Sequence, residues 1–177
     1  HCCRHVIATD YRDDVCARLQ QNLDANRHLR QTGGSDTPIV RKLNLLTREN
    51  LPWAEPREPD PGPYEWSSRD LQAAREARLL LASDVIYDDR VTRAFFLALR
   101  EALQPGDVLY MSLEKRIIFS AEEVRIAAPA HECFLQCVDQ EPFGPSGLYA
   151  ERVALDFPQH MSGYERNEQL ELWRVQR

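Results

Sequence analysis

Residues 78–87 read Arg-Leu-Leu-Leu-Ala-Ser-Asp-Val-Ile-Tyr. The continuous apolar run in this stretch is typical of a central β-strand that is buried on both faces. Asp84 follows the run directly, and because the interior of such a strand does not tolerate a charge, we expect its carboxylate at the carboxyl end of the strand. Tyr87 comes shortly afterwards, close enough to line the same cavity with an aromatic face and a hydroxyl group. An acid beside an aromatic ring suits a cationic or amine group, by charge and by cation–π contact.

A simple turn is the other interpretation of the residues that follow this strand. In that case Asp84 caps the chain reversal, Tyr87 packs against the protein, and Asp88 or Asp89 starts the next helix. The residues by themselves leave both interpretations open.

Segments with strand and helix periodicity alternate around this stretch, which is typical of an α/β domain. Before it, residues 5–10 form a β-branched run that ends in Asp10, and residues 12–26 carry apolar side chains at helical spacing. The remaining pattern predicts strands at residues 38–43 and 107–112, and helices at residues 68–77 and from Asp88 or Asp89 to Pro105. It also predicts a helix over residues 120–139, which opens with the capping box Ser120-x-x-Glu123 and bends at Pro129.

The last third of the chain follows a different pattern. Two strand-like segments, residues 148–157 and 168–175, follow each other without a full helix between them, which predicts an antiparallel pair at a sheet edge. Residues 52–68 carry five of the eleven prolines and have the composition of a loop. Because neither half of the chain could bury a core alone, we predict one domain over residues 1–177.

The composition indicates a globular protein, with 43% hydrophobic and 28% charged residues. No apolar run approaches the roughly 20 residues needed to span a bilayer, which argues against a membrane protein. The net charge of −6 argues against a protein held on nucleic acid by phosphate contacts, and fits either a cationic partner or solubility alone. The five cysteines form no CxxC pair and indicate a reducing compartment. Cys133 and Cys137 lie one helical turn apart, but we interpret them as packed helix residues and predict no metal site.

Polar residues follow the predicted strands, and several catalytic motifs are absent. The sequence contains no G-x-S-x-G, H-E-x-x-H, Walker loop or G-x-G-x-x-G. Ligands of doubly wound sheets bind at the carboxyl ends of the parallel strands, where this chain has Asp10, Asn44, Asp84 and Glu114. We expect these four side chains to form one polar rim. Asp10 suits two roles equally, since its carboxylate can accept both hydroxyls of a nucleotide ribose or cap the following helix.

The order of these segments resembles the seven-strand methyltransferases that use S-adenosylmethionine, a Rossmann-like α/β fold whose last two strands are antiparallel. Asp84-Val-Ile-Tyr87 is similar to the [DE]-x-x-[YF] motif of the protein-lysine methyltransferases in that superfamily, the group often called family 16. Residues 112–116 and 164–173 resemble the same group, and the resemblance extends over residues 6–175. It implies a protein-lysine N-methyltransferase with S-adenosyl-L-methionine as its methyl donor.

The resemblance also implies roles for individual residues. Asp84 and Tyr87 match the catalytic motif, in which the acid orients the incoming amine and the ring walls its channel. Asp10 matches the acid that binds the ribose of the donor, and Asn44 matches a polar residue near the adenine.

Three further matches are less complete. Leu45 stands where many members carry a tryptophan against the adenine ring, so stacking there is expected to be weaker or replaced. Ser83 lies where the backbone lines the methionine end of the donor. Glu114 and Arg116 resemble a Glu-x-Arg segment after the fifth strand of the family, to which the resemblance assigns no definite role.

The family's first strand and glycine-rich turn should precede His5, and the sequence lacks them. Only glycine lets the backbone approach the donor closely at such a turn. We therefore expect an N-terminally incomplete domain, in which the neighbours of the missing strand are unpaired unless residues 52–68 fill the gap. The chain alone is expected neither to bind S-adenosylmethionine nor to transfer a methyl group.

The resemblance implies a protein substrate, one associated with nucleic acid, and residence in the nucleus, with the cytoplasm as a second location. We expect no direct nucleic-acid partner, no membrane and a monomer. Two other functions stay open. A nucleic-acid methyltransferase would carry [ND]-P-P-[YF], where this chain has Val85 and Ile86 in place of the prolines. A non-catalytic binding module that retains the methyltransferase fold is the second.

Overall fold

The computed structural model describes residues 5–29, 38–47, 51–52, 62–120, 125–139, 144–159, 163 and 165–177. The chain divides into two compact units, His1–Glu76 and Ala77–Arg177. The single domain expected over the whole chain stays a prediction.

In its described residues, the first unit has two parallel strands and two α-helices. Its elements are β1 (Ile7–Asp10), α1 (Asp13–Ala25), a 3₁₀ helix (Arg27–Leu29), β2 (Ile39–Lys42) and α2 (Ser68–Arg75). β1 and β2 pair in parallel, with Asp10 opposite Lys42 at their carboxyl ends. Cys16 of α1 and Val40 of β2 are among the buried apolar residues of this unit. The strand and helix predictions for this part of the chain are confirmed.

Residues 62–67, near the end of the proline-rich loop, lie against β2. The N–H of Lys42 donates to the Tyr64 carbonyl at 2.8 Å, and Trp66 Nε1 donates to the Lys42 carbonyl at 2.7 Å. The loop then enters α2 through a capping box, in which Ser67 and Asp70 exchange hydrogen bonds. These bonds tie the end of the loop to β2, while residues 53–61 lie outside the described residues.

The second unit is built on a four-stranded sheet. Its elements are β3 (Leu79–Ser83), α3 (Asp89–Ala102), β4 (Val108–Glu114), β5 (Ile118–Ser120), β6 (Arg125–Ala127), α4 (Pro129–Cys137), β7 (Tyr149–Val153) and β8 (Leu170–Gln176). The sheet has the order β3-β4-β8-β7, in which β3 and β4 are parallel and the other two pairings are antiparallel. The structure thus confirms the predicted mixed α/β fold with an antiparallel last pair of strands at one edge.

The core of the second unit lies between its helices and the inner face of its sheet. Burial alternates along β4, as expected for a strand with one covered face. Phe134 of α4 lies at the centre of this core. The ring of Phe134 stacks on that of Phe96, with 5.5 Å between ring centres, and meets that of Trp173 edge-on, with 5.0 Å between ring centres. Gly106, at φ +92°, makes the turn between α3 and β4, a conformation that favours glycine.

The prediction that the strand at residues 78–84 is buried on both faces is wrong for the described structure. Leu80 and Ala82 pack against the core, but Leu79 is 47% exposed and Leu81 is 76% exposed. In the described sheets β3 has β4 as its partner and lies at an edge, just as β1 has β2. A continuous apolar run indicates a strand, but it does not reveal how many of its faces are covered.

The helix predicted over residues 120–139 is also wrong in its first half. β5 and β6 pair in antiparallel fashion there, and α4 begins only at Pro129. Proline suits the first turn of a helix, because its missing N–H has no partner there, but it breaks a helix interior. Glu123 of the expected capping box lies outside the described residues.

The remaining helix and strand predictions of the second unit are confirmed within a few residues. α3 begins after Asp88 and its chain turns at Gly106, as the sequence indicates. Over the described ranges, no helix combines the length and apolar character needed to cross a bilayer.

Candidate active site

Asp84 directly follows β3 and has an unusual backbone conformation. Its φ is +54°, the only positive φ of a non-glycine residue over the described ranges. Asp is one of the few residues that adopt this left-handed region without a large penalty. The N–H of Asp84 donates to the carbonyl of Ser112 on β4 at 3.0 Å, which continues the β3–β4 pairing for one residue. Its carboxylate is 58% exposed at the end of the strand, where the sequence predicted it.

The Arg116 side chain brings Asp84 and Tyr87 together. One of its guanidinium nitrogens lies 2.9 Å from Oδ1 and 2.8 Å from Oδ2 of Asp84. Its Cζ lies 5.7 Å from the centre of the Tyr87 ring, within cation–π distance. We call Asp84, Tyr87 and Arg116 the acid–aromatic cluster. The acid and the ring thus hold a cation of the protein itself.

The turn after Asp84 shows which acid caps the next helix. Asp88 is the N-cap of α3, and its Oδ1 accepts the N–H groups of Arg90 and Val91 at 2.9 and 3.0 Å. Ile86 is buried in the core and anchors the turn. Asp84 therefore does not cap α3, and Tyr87, 44% exposed, is not a packed core residue. Asp88 starts α3, as the turn interpretation also expects, so the role of Asp84 and Tyr87 in a site stays a prediction.

Ser83 and Glu114 lie at the carboxyl ends of the same two parallel strands. Ser112 Oγ donates to Ser83 Oγ at 3.0 Å across the β3–β4 pairing. Glu114 ends β4, and its Oε1 accepts a hydrogen bond from Asn167 Nδ2 at 3.3 Å. Both residues therefore lie at the same strand ends as the acid–aromatic cluster.

In the first unit, Asp10 shapes the entry into α1 without capping it. Its Oδ1 accepts the N–H of Arg12 at 2.9 Å, and Arg12 itself is the N-cap, although its side chain makes no capping hydrogen bond. The Asp10 carbonyl accepts the N–H of Leu43 at 2.8 Å, which extends the β1–β2 pairing. A carboxylate offers more lone pairs than a single N–H occupies, so this side chain keeps the capacity to accept ribose hydroxyls.

Asn44 and Leu45 follow β2 at the same end of the strand pair. Asn44 Oδ1 accepts the N–H groups of Leu46 and Thr47 at 3.0 and 3.3 Å, which closes a turn around Leu45. Leu45 is half-buried. Asp10 and Asn44 thus lie at one end of the first unit's strand pair. The four-member rim spans both units and stays a prediction.

A buried polar network in the second unit was not foreseen from the sequence. Glu171 Oε2 lies 2.8 Å from Trp173 Nε1 and 2.8 Å from His131 Nε2, and all three side chains are buried. Burial by itself would raise the pKa of Glu171, but the hydrogen bonds from Trp173 and His131 outweigh it, and the pKa is lowered overall. The alternation of buried and less buried residues along β8 could have identified Glu171 as buried. Its partner His131 lies on α4, far away in the sequence, and no local pattern indicates that contact.

The cysteines of α4 behave as core residues. Cys133 and Cys137 are buried and unpaired, and burial raises the pKa of the Cys133 thiol. Within the described ranges, no group of three or more His, Cys, Asp or Glu side chains is placed to hold a metal ion.

The chain is similar in sequence to two methyltransferase-like proteins. It is 31% identical over 179 residues to methyltransferase-like protein 22 of Homo sapiens, covering 97% of this chain and 42% of that protein. It is 32% identical over 177 residues to methyltransferase-like protein 22 of Mus musculus, covering 96% of this chain and 43% of that protein. The chain therefore spans less than half the length of these relatives.

Among solved structures, the crystal structure of the glycopeptide N-methyltransferase MtfA matches with a TM-score of 0.45 and 13% identity, covering 96% of this chain and 72% of that one. No family model matches the chain. Residues 112–116 and 164–173 predict a specific likeness to methyltransferase-like protein 22. The sequence comparisons confirm it: this chain is similar over nearly its whole length to methyltransferase-like protein 22.

Proposed function

We propose that the protein is an S-adenosylmethionine-dependent protein-lysine N-methyltransferase, in which Asp84 and Tyr87 receive the substrate amine. The observation that carries this proposal is the acid–aromatic cluster, where a carboxylate and a ring together hold the guanidinium of Arg116. A lysine side chain offers the same partners a hydrogen-bond donor and a cationic or neutral nitrogen. The similarity to methyltransferase-like protein 22 supports methyl transfer as the reaction.

The residues of this chain act by positioning. S-adenosylmethionine, when bound, supplies a methyl group on a positively charged sulfur, which a neutral lysine nitrogen attacks as the N–C bond forms and the S–C bond breaks. Asp84 accepts a hydrogen bond from the amine and so fixes the direction of its lone pair. Tyr87 walls the channel with its ring. Correct orientation of two reactants is sufficient for a large part of such a rate enhancement.

The residues carried over for the methyl donor fit it chemically. Asp10 supplies a carboxylate at a strand end for the ribose hydroxyls, and Asn44 with the half-buried Leu45 supplies a polar and an apolar contact for the adenine. Ser83 stands beside Asp84 for the methionine end. We propose Asp10, Asn44 and Leu45 as donor-binding residues of the first unit, and Ser83 as a donor-binding residue of the second.

The substrate class and the location are proposed from the resemblance. We propose a protein associated with nucleic acid as the substrate, and the nucleus as the site of the reaction. The acidic net charge of −6 fits a cationic substrate protein.

Methyl labelling of a cell extract tests the proposal. The full-length encoded protein is incubated with radiolabelled S-adenosylmethionine and an extract of cells that lack it, and the labelled band is examined by mass spectrometry. We expect methyl-lysine in a protein, with labelling lowered about 100-fold by Asp84→Asn. Asp156→Asn, which removes an exposed acid elsewhere, is the matched control and should label normally.

Two results would contradict the proposal. Label that survives protease but is removed by nuclease would indicate a nucleic-acid methyltransferase. Absence of donor-dependent labelling by the full-length protein, together with absence of S-adenosylmethionine binding in calorimetry, would indicate a non-catalytic module.

A further inference from the structure

We infer that Arg116 is a positioning residue for methyl transfer, which balances the charge of Asp84 so that the substrate amine can sit beside this carboxylate in its neutral form. This inference rests on the proposed function. It concerns a residue to which the resemblance assigns no definite role.

The chemistry of the proposed reaction creates a conflict at Asp84. Only a neutral amine has the lone pair that attacks the methyl group. A lone carboxylate beside an amine stabilises the ammonium form and raises its pKa, which lowers the reactive fraction at neutral pH. An acid that orients the amine therefore also works against its deprotonation, unless a nearby cation offsets the acid's charge.

Arg116 is placed to provide that offset. Its guanidinium lies within 2.9 Å of both oxygens of Asp84. The positive charge of the guanidinium offsets the negative charge of the carboxylate beside it. The amine then meets a hydrogen-bond acceptor rather than an uncompensated negative charge.

The pair leaves room for a second donor. A single nitrogen of Arg116 contacts both oxygens, whereas a carboxylate can accept about four hydrogen bonds. The side chains of Asp84 and Arg116 are still 58% and 50% exposed. An incoming amine can therefore bind Asp84 while Arg116 stays in place.

The backbone around Arg116 is held by the sheet. Lys115 N–H donates to the Gln169 carbonyl at 2.8 Å, and Glu114 pairs with Leu170 at the start of β8. Arg116 thus extends from a fixed strand end that is parallel to the one carrying Asp84.

Other charged groups belong to the neighbouring elements. They are Glu114 and Lys115 at the end of β4, and Asp88 and Asp89 at the start of α3. Glu114 accepts from Asn167, and Asp88 accepts two backbone N–H groups of α3. A substitution of Arg116 leaves these groups unchanged, so a changed pH profile reports on the loss of its charge beside Asp84.

The test is the pH dependence of the methylation rate. The full-length encoded protein and its Arg116→Gln, Arg116→Lys and Arg166→Gln variants are assayed over a pH series that starts at pH 6 and extends above the midpoint of the alkaline limb, with saturating radiolabelled S-adenosylmethionine and the extract protein that the unmodified enzyme labels. Arg166 is a matched control because it also lies over an aromatic ring, that of Phe157 at 4.3 Å, but donates to carbonyl groups.

Without Arg116 the uncompensated acid should raise the pKa of the bound amine. We expect Arg116→Gln to move the midpoint of the rising alkaline limb upward by about half a pH unit, because exposed charges interact weakly. That shift lowers the rate about threefold at every pH below the midpoint, and the rate recovers only above the shifted midpoint. Arg116→Lys should restore the midpoint, and Arg166→Gln should leave it unchanged.

Distinct outcomes separate the inference from the proposed function. An unchanged midpoint in Arg116→Gln, or a rate loss that is the same at every pH, overturns the role of Arg116 while methyl transfer stands. A shift that Arg116→Lys does not reverse also overturns it. If the unmodified protein labels nothing in the extract, the proposed function fails first.

Discussion

The N–H of Asp84 and the carbonyl of Ser112 are joined by a hydrogen bond of 3.0 Å, which holds Asp84 at φ +54°. This bond extends the parallel pairing of β3 and β4 beyond the last residue of β3. It places the acid at the end of the strand in a backbone conformation that most residue types rarely adopt. Strained conformations of this kind concentrate at functional sites, where the surrounding structure maintains them.

The conformation of Asp84 makes a prediction about stability. Asp84→Ala should lower the free energy of unfolding by about 1 kcal/mol more than Asp84→Asn, because asparagine tolerates the left-handed region and alanine does not. Urea unfolding of the two variants measures the difference. Equal stabilities would mean that the backbone relaxes out of this conformation, and Asp84→Asn would then lose its advantage as the cleaner test of the carboxylate.

The Tyr87 ring should contribute to substrate binding through its face. Tyr87→Phe retains the ring and should keep KM for the labelled protein within about twofold. Tyr87→Leu removes the ring that contacts Arg116 and the arriving ammonium before it loses its proton, and should raise KM by about fivefold, since an exposed cation–π contact is worth about 1 kcal/mol. Steady-state methylation kinetics give both values. An equal effect of the two substitutions would assign the contribution to the hydroxyl instead.

Asp10 should act in donor binding rather than in the chemical step. Asp10→Asn keeps an acceptor for the Arg12 N–H but removes the charge, and Asp10→Ala removes both. Both variants should weaken S-adenosylmethionine binding, with kcat at saturating donor within a few-fold of the unmodified enzyme, because the ribose contacts are shared by ground and transition states. Calorimetry and single-turnover labelling on the full-length protein measure the two quantities. Unchanged donor affinity in both variants would leave Asp10 with only its role in the turn before α1.

The buried Glu171 should make folding sensitive to acid. Its pKa is lowered below the ordinary value near 4.5, so its contribution is fully present above that pH and is lost as the pH falls through the lower, folded-state pKa. Glu171→Gln should lower the free energy of unfolding by about 2 kcal/mol at pH 7, since hydrogen bonds to a buried charge are lost. The difference in the free energy of unfolding between the variant and the unmodified protein should become smaller below about pH 4.

Chemical denaturation at several pH values checks the Glu171 prediction. Glu151→Gln is the control, because Glu151 pairs with Arg174 in a half-exposed position and should contribute within about 1 kcal/mol. A gap for Glu171→Gln that stays constant between pH 7 and pH 3 would show that packing, rather than charge, causes the loss.

The local sequence pattern was sufficient to predict most helices and strands of this chain. The apolar spacing of α1 and α3, the β-branched run of β1 and the alternation in β8 follow from short-range rules of periodicity and capping, which depend on neighbouring residues only. The same rules placed Asp84 at a strand end, because a charge cannot lie inside an apolar strand.

Contacts between distant residues required the tertiary structure. The meeting of Arg116 with Asp84 and of His131 with Glu171 joins segments that are 32 and 40 residues apart, and no local rule predicts such pairs. The exposure of Leu81 likewise depends on which strand lies beside β3. The sequence predicted a helix from Ser120, but α4 begins at Pro129, because proline suits the first turn of a helix and not its interior. Residue type and spacing therefore specify which groups stand at a strand end, while the packing of remote segments determines which charges they meet there.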